Sequence, residues 1–271
     1  MRLPRYKRYI RSAVAIVIVA IMLFPVYWMI NGSFQAGGNT LSAHWFPSPF
    51  TVSAYVDAFQ TQIGHIGTSL MIGIGTVIFT LVVACPAAYG LAKLHIPGTE
   101  IILLLLLVVQ MIPGIILANA LYSQYVSLHL LNTVAGLVLA DSTNTIPFAI
   151  LIIYSSMVSI PAGLLDAARV DGANQWRVFL SIVIPVSRNA IISAALFCFL
   201  FAWGDFIFAL TLTTSSDFEP ITLGIFSFLG GNVSNWAPVM ASAVLAMVPG
   251  LVFVIFAQRH INAGALGGAM K

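Results

Sequence analysis

An all-α polytopic membrane protein with six spanning helices is the fold class this sequence predicts, and three observations carry the prediction. Of its 271 residues, 60% are hydrophobic and only 7% are charged, whereas a soluble domain is about one-quarter charged. The apolar residues gather into long uncharged runs, each near the roughly 20 residues that a spanning helix needs. The 11 Lys and Arg all fall outside those runs.

The elements follow in order. Arg2, Arg5, Lys7, Arg8 and Arg11 form a basic arm over residues 1–12. The first run, Ala13 to Ile30, is long for a signal peptide and lacks a small-x-small cleavage site. It reads as a retained helix, kinked at Pro25. Residues 31–66 are polar, contain Gly and Pro, and are free of Lys and Arg. The second run, Ile66 to Ala92, is closed by Lys93, Leu94 and His95, and Pro97-Gly98 marks a tight turn. The third, Ile101 to Ala118, contains Pro113-Gly114, and a cation-free link from Tyr122 to Thr133 leads to a fourth that ends near Met157. The fifth runs from about Ala190 to Leu210. A further cation-free loop, Thr211 to Trp236, holds Asp217 and Glu219. The sixth, Ala237 to Ala257, carries a kink at Pro249-Gly250, and residues 258–271 form a tail, where Gly264, Gly267 and Gly268 argue against a helix. Tyr55 and Trp236 fit an interfacial aromatic belt.

Six spans with both termini in the cytoplasm place every cation inside: the basic arm, Lys93, the group Arg169, Arg177 and Arg188, and the tail residues Arg259 and Lys271. That satisfies the positive-inside rule without exception, whereas five spans would move the tail's two cations outside. Cys85 and Cys198 lie inside apolar runs and read as core side chains rather than a disulfide. The five histidines are scattered, so no metal site is expected. Nothing points to nucleic acid, and the lipid bilayer is the expected surroundings.

Residues 159–185 stand out as a soluble-looking island on the cytoplasmic side. Ser159 can cap a helix that Pro161 starts. Leu164, Ala167, Ala168 and Asp171 share one face by their three- and four-residue spacing. Gly172 is placed to end that helix, and Asn174 to start a second. In the second, Trp176, Phe179, Leu180 and Val183 form an apolar stripe that Pro185 terminates. Two short helices meeting at small residues make a knob suited to a partner's groove.

Polar groups inside the spans are candidates for a solute path. Asp141 and Asn144 lie in the Asp141–Thr145 cluster ahead of Pro147, where a broken helix is expected. They either line the path or bond across a helix interface. Trp203 beside Gly204 and Asp205 offers an aromatic face with a carboxylate, which either holds a sugar or serves the structure. About 15 residues into its span, Asp205 falls near the external mouth. Phe197, Phe199 and Phe201 read as lipid-facing or packing side chains. The chain has no G-x-x-x-x-G-K-[ST], and none of its lysines (Lys7, Lys93, Lys271) has that context. It therefore cannot hold ATP by a P-loop and reads as a non-enzyme.

The segment L-D-A-A-R-V-D-G-A with I-V-I-P resembles the EAA loop of binding-protein-dependent ABC importer permeases. Further resemblances, to the sugar-importer branch and the second permease of maltose-type systems, lie in P-V-Y-W-M-I-N-G-S-F, in F-P-S-P-F-T-V-S-A-Y, around Trp203, and in the tail. Together they cover nearly the whole chain. The resemblance implies a type I importer permease fold, with residues 1–271 as one transmembrane domain in a prokaryotic inner membrane. It implies a coupling helix at Leu164, Asp166, Ala167, Ala168, Arg169, Asp171, Gly172, Ala173, Ile182 and Pro185. Asp166 replaces the family's usual Glu, one methylene shorter, and Arg188-Asn189 stands where a second proline is common. The resemblance further implies two copies of a P-loop ATPase carrying ATP and Mg2+, a second related permease, an extracytoplasmic solute-binding protein and a sugar-like substrate. The tail would reach between the ATPase subunits. A permease for a non-sugar solute, a proton-coupled transporter titrating Asp141 or Asp205, and a membrane scaffold are the alternatives.

Overall fold

The computed structural model describes residues 5–36, 44–215, 218–228 and 235–268, with side chains placed between residues 9 and 258. Arg2, Asp217 and Lys271 lie outside the described residues, as do the side chains of Arg5, Lys7, Arg8 and Arg259. The apolar runs become helices because hydrocarbon offers no partner for backbone polar groups, so each segment must satisfy its own. Among the described residues there is no strand, only an isolated bridge between Gln35 and Phe50. Four helices are long and apolar enough to cross a membrane, and up to six spans result if each of two bent pairs counts as one.

The chain divides into two compact units. The first comprises Met1–Ile63 and Ile225–Val248. Here α1 (Arg5–Ser33) runs through Pro25 without ending. The ring of Phe34 stacks on Phe50 at 5.1 Å and packs at a tilt against Tyr55 at 4.7 Å. Tyr55 Oη lies 2.7 Å from Ser33 Oγ, so Tyr55 also anchors this packing. Ala54 and Ala58 of α2 (Ser53–Lys93) pack on Ala237 and Ala241 of α12 (Ala237–Gly268). Small residues of this kind let membrane helices approach closely.

The second unit, Gly64–Gly224 with Pro249–Lys271, holds the residues of interest. It contains most of α2, then α3 (Thr99–Val109), α4 (Gly114–Ser127), α5 (Val134–Val158), α6 (Ala162–Val170), α7 (Gln175–Val178), a π-helical turn (Phe179–Val183), α8 (Ile184–Val186), α9 (Arg188–Trp203) and α10 (Ile207–Leu212). Helix α11 (Ile221–Ser227) straddles the unit boundary. The core lies where α2, α5 and α9 meet. Ala84, Ala88, Ala149, Ile153, Met157, Ala194 and Cys198 are buried there, and both cysteines are free. Thr80 and Thr145 join α2 to α5 through a 2.7 Å hydroxyl contact.

Several expectations are corrected. Helix α2 starts at Ser53, so the polar stretch ahead of Ile66 is partly helical. The third apolar run is not one rod, since α3 and α4 meet at 91°. Pro113 is the N-cap of α4 and cannot continue the preceding helix. Helix α5, by contrast, passes through Pro147 unbroken. The fifth run stops at Trp203 and resumes as α10. Backbone helix continues through Gly264 and Gly267 to Gly268.

Candidate functional site

Two regions carry the candidate residues, and the second unit holds both. In the first, the chain leaves α5 at Ser159, which is the C-cap of α5, its Oγ donating to Ser156 O at 2.7 Å. Pro161, not Ser159, occupies the N-cap of α6. Within α6 only Leu165 is buried, with Ala168 partly so one turn on, while Leu164, Asp166, Ala167 and Arg169 are exposed. The two-leucine run thus divides: Leu165 anchors the helix, a burial worth about 2 kcal/mol, and Leu164 is presented outward. Arg169 Nη1 contacts Asp166 Oδ1 at 2.9 Å, so the shortened acid is already paired within its own helix.

The turn after α6 matches its prediction. Gly172 adopts φ +82°, and its N–H donates to Arg169 O while Ala173 N–H donates to Ala168 O, both at 3.0 Å. These two bonds form a Schellman motif, whose pivot needs a residue at ease in the left-handed region. Asn174 Oδ1 then accepts from Arg177 N at 2.8 Å and caps α7. Beyond it the apolar stripe does not form. The π-helical turn widens the spacing, so Phe179 and Val183 are buried with Val178, whereas Trp176 and Leu180 are exposed. Pro185 does not end the helix, which runs on to Val186 before meeting α9 at 76°. A hollow of about 220 Å³ opens between Ala168, Asp171, Ala173, Arg177, Ser181 and Ile182, flanked by an acid and a base.

Two residues that sequence reasoning did not assign to this knob fasten it to α2. Lys93 Nζ donates to Val158 O at 3.1 Å and to Ile160 O at 2.6 Å. Tyr89 Oη donates to Gln175 Oε1 at 2.8 Å, and the Tyr89 ring packs on Phe179 at 5.1 Å. One helix end therefore grips both the entry and the exit of the knob. The available signal was Lys93 itself, the only cation between the first arm and Arg169.

The second region lies in the middle of α5 and the end of α9. Asp141 is 1% exposed, and its Oδ1 has no hydrogen-bond partner among the described residues. Asn144 is partly exposed and lines a cavity with Gln110, Phe148, Phe197 and Phe201. Trp203 does not offer a free face, being buried and stacked on Phe199 at 5.6 Å, which in turn stacks on Phe253 at 4.4 Å. Asp205 sits in the break after α9, where Oδ1 accepts from Phe208 N at 3.3 Å and Oδ2 from Ala209 N at 2.9 Å. Its carboxylate is thus engaged in capping α10. Asp205→Ala is expected to lower stability by about 1 kcal/mol, with Asp205→Asn close to wild type. Thermal unfolding in detergent checks this, and equal melting of all three proteins would count against the cap.

Residues 80–266 match the family described as binding-protein-dependent transport system inner membrane component. The chain is 30% identical over 258 residues to the trehalose transport system permease protein SugB of Mycobacterium tuberculosis, covering 94% of each. It is 29% identical over 277 residues to the trehalose/maltose transport system permease protein MalG of Thermococcus litoralis, covering 100% of this chain and 99% of the relative. With the diacetylchitobiose uptake system permease protein DasC of Streptomyces coelicolor the identity is 27%, over 96% of each. A chain of a bacterial ABC transporter involved in the import of the acidic polysaccharide alginate superposes with a TM-score of 0.79 at 19% identity, covering 96% of this chain and 99% of that one. The fold is therefore that of a type I importer permease. With its family match spanning most of its length, this chain belongs to the binding-protein-dependent transport system inner membrane components.

Proposed function

We propose that the chain is the membrane-spanning permease subunit of an ATP-driven importer. It moves a carbohydrate or sugar derivative, delivered by an extracytoplasmic binding protein, across the cytoplasmic membrane by alternating access. The observation that carries this reading is end-to-end similarity to permease proteins of trehalose, trehalose/maltose and diacetylchitobiose systems. A chain without a P-loop needs its ATP and Mg2+ on a separate ATPase, two copies of it, and a second related permease completes the path. No cluster of three or more metal-binding side chains occurs among the described residues. The cation distribution supports an orientation with both termini and the Leu164–Ala173 knob in the cytoplasm.

In this reading the ATPase meets the exposed face of α6, comprising Leu164, Asp166, Ala167, Arg169 and Asp171. ATP-driven closure of the ATPases pushes on the knob. The push passes into the core through Leu165, into α9 through the helix that ends at Val186, and into α2 through Lys93 and Tyr89. Helices then rock as bodies, because close-packed interfaces shift rather than deform.

The test is to purify the tagged chain in mild detergent, identify what accompanies it, and assay the assembly in proteoliposomes with binding protein, ATP and labelled trehalose, maltose or diacetylchitobiose. Recovery of a P-loop ATPase and a second permease, with ATP-dependent uptake of one of these sugars, is the expected result. A chain that purifies alone and folded would overturn the proposal.

A further inference from the structure

We infer that the cavity between the α3–α4 break, α5 and α9 is a contact site for a neutral sugar ring on its way through this subunit. The inference rests on the importer reading and joins Asn144, a candidate from the sequence, to Gln110, Phe148, Phe197 and Phe201, which neither the sequence motifs nor the relatives identify. The cavity measures about 490 Å³, within the size range of small-ligand pockets.

Its walls have a particular construction. Asn144 and Phe148 lie one turn apart on α5, and Phe197 and Phe201 one turn apart on α9, so each pair shares a helix face. Phe148 meets Phe197 edge-to-face at 5.4 Å. Phe197 and Phe201 are 47% and 49% exposed, whereas Phe199 between them is 2% exposed and turned into the core stack with Trp203. The α9 aromatics thus split into a packing set and a cavity set. Gln110 comes from the four-residue gap between α3 and α4.

Two features make this site wet. Non-helical backbone at membrane depth is tolerated only where it is buried in protein or borders water, and the 110–113 gap lies between two apolar helices. The side chain of Asn144 makes no hydrogen bond among the described residues, and Gln110 makes one long one, Nε2 to Leu106 O at 3.4 Å. Amides left unsatisfied in hydrocarbon cost several kcal/mol each, so water or a solute must meet them.

The lining selects the solute by chemistry. It contains no Lys, Arg or His to hold an anion and no Asp or Glu to hold a cation. Two amides, each able to donate and accept, suit hydroxyls that do the same. Three phenyl rings give apolar surface for the C–H faces of a pyranose. Asp141, Trp203 and Asp205, the carboxylate and aromatic candidates of the sequence, line none of it.

The experiment uses the complete importer in proteoliposomes, with labelled trehalose, maltose and diacetylchitobiose as probes, and Asn144→Leu, Gln110→Leu and Phe197→Ala in this chain. Leu104→Ala, on the exposed flank of α3, is the control. Assembly is scored by recovery of the ATPase. We expect each cavity variant to assemble, to slow uptake about tenfold, and to change the ratio of rates between the three sugars, with Leu104→Ala like wild type. Unchanged rates and ratios in assembled cavity variants would overturn the site while leaving the importer intact. If the wild-type assembly takes up none of the sugars, the importer reading falls first, and the site with it. Should Asn144→Leu not assemble, Phe201→Trp decides the matter: filling the cavity must shift the sugar ratios, and constant ratios overturn the inference.

Discussion

Gly172→Val should abolish recovery of the ATPase with this chain, whereas Gly172→Asn should keep most of it. The difference is one of backbone conformation alone. Gly172 sits at φ +82° with nothing within 4 Å of the position a Cβ would take, so neither substitution creates a clash. An ordinary L-residue in the left-handed region costs roughly 1–2 kcal/mol, and a β-branched one more, while Asn tolerates it. Against that cost stands little restoring force. Helix α6 has nine residues and buries only Leu165, and its C-terminus is secured by the two Schellman bonds that the turn itself makes. Val at position 172 is therefore expected to open the turn and swing α6 away from α7. Leu164, Asp166 and Arg169 would then no longer be presented as one surface. A cost of about 2 kcal/mol corresponds to roughly a 30-fold loss in docking equilibrium. Co-purification yield and sugar uptake, measured on Val and Asn variants that insert equally into the membrane, are the readouts. Equal ATPase recovery by the two would mean that the bend at Gly172 does not set the docking surface.

That turn was legible because its causes are local: a glycine at the C-terminus, an Asn three residues before the N–H that it caps, and backbone bonds that need no distant partner. Features decided by packing were not legible. Pro147 and Pro113 look alike in sequence, each within an apolar run, yet the helix continues through the first and breaks at the second. Helix α5 has 11 buried residues around Pro147 to hold its course, while α3 has none and Gly114 follows Pro113 directly. Trp203 beside Asp205 left both a sugar platform and a structural role open, because chemistry was visible and neighbours were not. The stack with Phe199 and Phe253 joins residues far apart in the chain, and the capping role of Asp205 depends on a helix break that hydropathy does not reveal. The cavity was missed for the converse reason. Phe197 and Phe201 had no polar neighbour in sequence, and the amides that give them meaning come from elsewhere, Asn144 from α5 and Gln110 from the gap between α3 and α4.

Lys93→Met should uncouple solute movement from ATP hydrolysis without releasing the ATPase. Lys93 closes α2, and its ammonium bridges the last carbonyls of α5 and the loop before α6, Val158 O and Ile160 O. A cation there is favoured by the helix dipole and satisfies acceptors that the helix end leaves unpaired. Each bond to a charged donor is worth about 1.5–3 kcal/mol, so Met, which keeps the aliphatic length and loses the donors, frees the knob's entry from α2. The exit remains held by Tyr89 on Gln175 and Phe179, and α6 with its exposed side chains is untouched. ATPase recovery is therefore expected to stay near wild type, while uptake per ATP hydrolysed falls about tenfold, the equivalent of 1.4 kcal/mol. Lys93→Arg, which retains charge and donors, should restore most of that ratio. Tyr89→Phe, which removes a neutral bond worth about 1 kcal/mol and keeps the ring packing, should lower it only a few-fold. A residue that merely stabilised the fold would reduce uptake and hydrolysis together and leave their ratio unchanged, and that outcome in Lys93→Met would sink the idea that α2 is driven through this clamp.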